Sequence, residues 1–203
     1  MTTDSVTRSN TTSTAQTILA AARQALLETG FAVLSTRKVA DAAGVPLSQI
    51  HYHFGSKEQM VLAMLRAEND SLVRRQAEML TLDVALSVRW DLSCDYLDQD
   101  IESGYVRVLQ EMMAAGWSSP QVRTAVGDLL GGWFRVLGDV VEMARRAGTD
   151  FGPFEPEELV ALVAAAFLGA ESLIMLGIEG DRLPLRAALR RVGDLLRVAE
   201  ASR

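Results

Sequence analysis

Apolar residues along the 203-residue chain recur at intervals of three and four, the spacing of helices with one buried face. Val and Ile alternate with polar residues over no long window, and no internal repeat appears, so the chain reads as all-α. A first helix is predicted from about Thr14 to Glu28, with Ile18, Ala22, Ala25 and Leu26 on one face and Gly30 ending it. A second runs from Thr36 to Ala43, with Ser35 as N-cap and Gly44 as stop. A third begins near Pro46, since proline fits a first helical turn, and reaches about His53. Ser56 and Gln59 have capping-box spacing and open a fourth helix that extends to about Leu80. Further helices are predicted near 84–99, 101–115, 120–147, 157–178 and 185–199, with a turn over 115–120 and a loop over 148–156.

The segment from Thr36 to Phe54 carries a mechanical pattern. A helix-turn-helix needs two short helices crossing steeply over a tight turn. Ala40 is small enough to be crossed, Gly44 can take the turn's backbone geometry, and Ile50 points back to close a core with Val39 and Val45. With that core fixed, Ser48, Gln49, His51 and Tyr52 project outward, as a helix lying in a major groove requires. Gln pairs bidentately with adenine and Ser serves either base type, whereas Thr36, Tyr52 and Lys57 are placed for phosphates. Lys57 also opens a helix whose N-terminal dipole favours anions. The plainer reading is a polar surface on a small helical hairpin. His51 and His53 diverge by about 200° on a helix and do not share an ion, so no metal site is expected. No Ser-His-Asp set, paired carboxylates or glycine-rich phosphate loop appears, so neither catalytic residues nor a cofactor is expected.

Gly44-Val45, then Ile50-His51-Tyr52-His53-Phe54, then Ser56-Lys57-Glu58 resembles the tetracycline-repressor (TetR) family, over roughly residues 14–65. The resemblance implies an N-terminal three-helix DNA-binding domain and a C-terminal helical bundle that binds a ligand and dimerises. It implies DNA contact by Thr36, by Leu47, Ser48, Gln49, His51 and Tyr52, and by Lys57. His51 stands where that family usually has Tyr, and Leu47 where a polar residue is frequent; both bear on the operator sequence rather than on the binding mode. The expected organisation is a disordered arm over 1–12, a helix-turn-helix domain over 13–56, and a ligand-binding and dimerisation domain over 57–203.

The middle helices carry Trp90, Cys94, Tyr105, Leu109, Met112, Met113, Trp117, Trp133 and Phe134. Aromatics and methionines suit an adaptable apolar pocket and suit a plain core equally well; the family resemblance implies some pocket among them. Phe167 and Glu171 share a face of the apolar helix, where the carboxylate would either meet a cationic ligand or pair with an arginine. In the last helix Leu185, Leu189, Val192, Leu196 and Ala199 form a stripe. With the small Ala161, Ala165 and Gly169, it resembles the two-helix-per-subunit bundle by which that family forms homodimers; packing within one subunit is the alternative.

Charge sharpens this division. The net charge is −6, yet residues 1–60 hold five bases against four acids, so the acidity lies in the rest. That suits a protein meeting double-stranded operator DNA at one end only. Residues 83–102 hold six acids against Arg89 alone, a solvated face or a preference for cations. Cys94 is the single cysteine, which favours a reducing, cytoplasmic setting. The first fourteen residues contain nine Ser or Thr and no apolar run, so they read as a solvated tail, with Arg8 as a possible DNA contact. Leu159 to Ile178 is long enough to span a bilayer, but Glu171 would sit near mid-membrane, so no membrane is expected as a partner. The sequence thus predicts a dimeric regulator, a repressor released by a small apolar or cationic effector. Its rival is a ligand-carrying or enzymatic helical bundle that no longer binds DNA.

Overall fold

The computed structural model describes the backbone of residues 3–201 and the side chains of residues 14–201. Among the described residues the fold is all-α, in the order α1 (Thr3–Thr29), α2 (Thr36–Ala43), α3 (Leu47–Phe54), α4 (Lys57–Leu80), α5 (Leu86–Ser103), α6 (Tyr105–Ser118), α7 (Pro120–Arg146), α8 (Pro156–Met175) and α9 (Leu185–Ala201). The chain divides into two compact units. One comprises Met1–Asn69 with Arg107–Gly127; the other comprises Asp70–Val106 with Asp128–Arg203.

The first unit is built on wholly buried aliphatics. Ile18, Ala22 and Leu26 of α1 repeat every four residues, and Val39, Ile50, Met60, Val61, Leu62 and Leu65 are equally buried. α1 starts at Thr3, where a disordered arm up to residue 12 was expected. Once a packed turn nucleates a helix, adding residues costs little even where propensity is poor. Arg8 has its side chain outside the described residues. α2 ends as its glycine predicts: Gly44 adopts φ 66°, Val45 N–H reaches Ala40 O at 3.0 Å, and Gly44 N–H reaches Asp41 O at 3.2 Å. Ser35 precedes α2 but makes no side-chain cap. Ser56 does cap α4, its hydroxyl accepting Gln59 N–H at 3.2 Å.

The stretch over 115–120, expected as a turn, is helical up to Ser118, leaving Ser119 alone between α6 and α7. Two interactions explain it. Arg123 gives its guanidinium to the carbonyls of Gly116 at 3.1 Å and Trp117 at 3.2 Å, so the open end of α6 is satisfied by a side chain. Gly116 lets α7 come close, since a Cβ there would lie 3.2 Å from the Arg123 Cα.

The second unit has a core of Cys94, Leu97, Phe167, Ala170 and Leu189, against which Trp90, Ile101, Trp133 and Leu185 pack. The acids of α5 face the arginines of α9. Arg190 bridges Asp95 at 2.8 Å and Asp98 at 2.9 Å; Arg186 reaches Asp98 at 2.7 Å; Arg197 reaches Asp91 at 2.6 Å. Asp100 turns the other way, to a bidentate pair with Arg75 of α4 at 2.8 Å. Much of the acidic face predicted as solvated is therefore an interhelical ion-pair ladder. Arg89 is buried because its guanidinium caps the end of α4 at the carbonyls of Met79 and Leu82. Pro156 opens α8 behind a Glu155–Glu158 capping box, and Gly177 at φ 69° stops it short of Ile178.

Candidate nucleic-acid interface and effector site

α2 and α3 cross with Ala40 and Ile50 buried between the elements of the first unit. Pro46 leads into α3, and Gln49 N–H closes its first turn on Pro46 O at 2.9 Å. Fixing Ile50 inward sends its neighbours outward at about 100° per residue. Ser48, His51 and Tyr52 are exposed, Tyr52 to 76%, while Leu47 and Gln49 are half-buried. Thr36 is half-buried at the start of α2. His51 Nδ1 lies 3.2 Å from Gly55 O at the end of α3. Val45, expected in the core, is half-buried.

Lys57 is engaged in a way the sequence did not disclose. Its ammonium donates to Phe31 O at 3.0 Å and sits 4.4 Å from the Phe31 ring centroid. Of its three protons, one is committed to the α1–α2 corner.

The residues expected around an effector separate into groups. Trp90, Cys94, Trp133 and Phe167 come together in the second unit, where Trp90 and Trp133 each meet the Phe167 ring edge-on at 5.6 and 6.4 Å. Trp90 Nε1–H donates to Leu189 O at 2.6 Å, which fixes that indole. Phe134 touches Trp133 at 5.6 Å between centroids. Tyr105 is buried in the same unit. Leu109 and Met112 are buried and Met113 half-buried on the part of α6 that belongs to the first unit. Trp117 is 81% exposed and lines no interior site. Met112 and Gly116, one turn apart, both point inward, so their neighbour Trp117 is turned out.

Burial pushes the Cys94 thiol up to about 11, against a smaller opposing pull from Arg190, so it is an uncharged apolar group. Burial also raises the Asp100 carboxyl, outweighing its bond to Arg75. Glu171 is half-buried and engaged within the chain. A surface cavity of about 290 Å³ lies at the α7–α8 loop, lined by Arg145, Thr149, Asp150, Phe151 and Phe154.

Of the α9 stripe expected to dimerise, Val192 and Leu196 are half-buried and Ala199 is exposed. Leu189 is buried and Leu185 packs on the Phe167 cluster. The large outward apolar residues of α9 are Leu195 and Val198, interleaved with charged positions that hid them from periodicity. On α8 the outward face is Ala161, Leu162, Ala165, Ala166 and Gly169. α8 is long and apolar enough to cross a membrane, and only 17% of its most apolar window is buried.

Two short helices joined through a left-handed glycine, the second presenting polar side chains, with a helical body beyond, define a helix-turn-helix protein. Residues 18–64 match the family model of bacterial regulatory proteins, tetR family. Solved structures share the fold over most of the chain. It is similar to a TetR transcription regulator from Haloarcula marismortui, with TM-score 0.76 and 19% identity, over 94% of this chain and 98% of that one. It is similar to the regulator FadR from Bacillus subtilis, solved in complex with stearoyl-CoA, with TM-score 0.74 and 16% identity, over 89% and 96%. A Saccharomonospora viridis protein, solved in complex with choline, has TM-score 0.72 and 20% identity, over 90% and 94%. No curated protein matches the sequence.

Proposed function

We propose that the chain is a dimeric, effector-responsive repressor in the cytoplasm, whose two heads read a palindromic operator. The observation that carries this is the exposed polar face of α3, oriented by the buried Ile50 beneath it. Gln49 and Ser48 read base edges, Leu47 packs on a thymine methyl or a sugar, and Thr36, His51 and Tyr52 meet phosphates. Lys57 joins them with the protons its bond to Phe31 leaves over. In titrations with duplex from the chain's own upstream region, Gln49→Ala weakens specific binding by about 1–3 kcal/mol. An unchanged affinity refutes the assignment.

One α3 reads too few bases alone, and two held one DNA turn apart read a palindrome. The outward faces of α8 and α9 supply the means: Leu162, Leu195 and Val198 are each more than half exposed. A second copy covers them. Leu195→Arg, at a position 70% exposed, is expected to give monomers in analytical ultracentrifugation with the fold intact. A dimer that persists rules out α9 as its interface.

The effector of this reading is apolar. The Trp90–Trp133–Phe167 cluster offers aromatic surface, while Asp91, Asp95, Asp98 and Asp100 of α5, which a cation would seek, are already paired with α9 or Arg75. Proteins of this fold were solved in complex with stearoyl-CoA in one case and choline in another. The effector releases DNA only by binding one state of the dimer more tightly than the other.

A further inference from the structure

The corner between α1 and α2 is held from opposite sides. Gly30 turns the chain at φ 79°, its N–H closing on Leu26 O at 2.7 Å. The next residue, Phe31, gives its N–H to the Glu111 carboxylate of α6, while its carbonyl accepts Lys57 Nζ of α4 at 3.0 Å. Arg107, one turn before Glu111, binds Glu111 Oε1 through Nε at 3.2 Å. The same guanidinium donates to Leu27 O at 2.7 Å, in the last turn of α1. The fit is close: a Cβ on Gly30 would stand 3.3 Å from Glu111 Oε2. All these residues belong to the first unit.

A simple helix cap explains only part of this. The last carbonyls of α1 need donors, and Arg107 supplies one. It does not explain an anion placed on an N–H beyond the helix end, nor a cation placed on the carbonyl of the same residue. Opposite charges on the two ends of Phe31 fix its backbone, and Phe31 is where the chain leaves α1 on its way to α2.

We infer that Glu111 and Arg107 are positioning residues for DNA recognition: by clamping Phe31 from α6 they set the orientation in which α2 and α3 are presented. This rests on the reading of α3 as the DNA-reading helix. Neither residue contacts DNA in this account; both act through the backbone of the corner.

The test uses the full chain with Glu111→Ala and Glu111→Gln. One readout is amide hydrogen exchange across residues 30–54. The other is affinity for the upstream duplex and for a scrambled duplex of equal length. Loss of a charged acceptor is expected to speed exchange at Phe31 and in α2 about tenfold, and to weaken the upstream duplex by a similar factor. Affinity for the scrambled duplex stays unchanged, because no phosphate contact is lost. Glu111→Gln keeps an oxygen for the Phe31 N–H and is expected to recover most of both effects. Unchanged exchange in Glu111→Ala overturns the clamp. Equal weakening on both duplexes, or no rescue by glutamine, overturns the positioning role. If the wild-type chain prefers no duplex, the DNA reading of α3 fails, and the exchange measurements alone decide whether Glu111 orders the corner and α2.

Discussion

Ile50 and Tyr52 lie two residues apart on α3, and their substitution separates the folding of the head from its use. Ile50 is fully buried, whereas Tyr52 is 76% exposed. Truncating Ile50 to alanine removes three carbons, about 2.4 kcal/mol of transfer free energy at ~0.8 per methylene, and leaves a cavity besides. The total falls in the range of about 2–5 kcal/mol measured for such changes. Tyr52→Ala removes a ring whose one close aromatic neighbour is His53, edge-on at 5.0 Å, so its cost to folding stays within about 0.5 kcal/mol. Native-state hydrogen exchange on α2 and α3 reads the difference, because these amides report the opening of the small core. Ile50→Ala should speed their exchange by at least about thirtyfold, since 1.4 kcal/mol is a factor of ten. Tyr52→Ala should leave exchange alone and lower affinity for the upstream duplex, by about 1.5 kcal/mol if a charged hydrogen bond to phosphate is lost. Equal disturbance of α3 by the two variants would mean that Ile50 does not orient it.

Two further outcomes are expected. At Gly44 a Cβ meets nothing within 4 Å, so only the backbone angle resists substitution; Gly44→Ala should cost about 1–2 kcal/mol by urea unfolding, and Gly44→Asn, which tolerates that angle, clearly less. The Cys94 thiol, raised to about 11 by burial, should resist iodoacetamide at pH 8 in the native chain and react readily in denaturant. Because its folded value lies above its unfolded one, its contribution to stability is intact below about pH 9 and is lost as pH rises towards about 11; a Cys94→Ser chain should lack that alkaline loss.

Much of the head was legible because its determinants are local. Ala40, Gly44 and Ile50 are bound to their roles by spacing and by what a missing Cβ permits, and α2 ends at Ala43 as that pattern requires. The body was legible as helices but not as surfaces. The ladder between α5 and α9 joins residues about ninety positions apart, and no helical period announces which arginine meets which aspartate. Leu195 and Val198 sit among charges, so periodicity favoured the internal Leu185–Leu189 stripe. Trp117 looked like pocket lining because aromatic residues are usually inside; only the inward turn of Met112 and Gly116 places it in solvent. The grip of Glu111 on Phe31, eighty residues away, leaves no trace in local pattern at all.

The division of the chain into two units has a consequence for anyone wishing to recombine such proteins. The boundaries after residues 69, 106 and 127 all fall inside helices, α4, α6 and α7, and none in a loop. A graft that cuts at the end of α3, or anywhere in the first seventy residues, takes the reading head without the segment 107–127 that completes it. Modular exchange of specificity therefore has to transplant two stretches of sequence together, with seams spliced in helical register rather than joined through a tether.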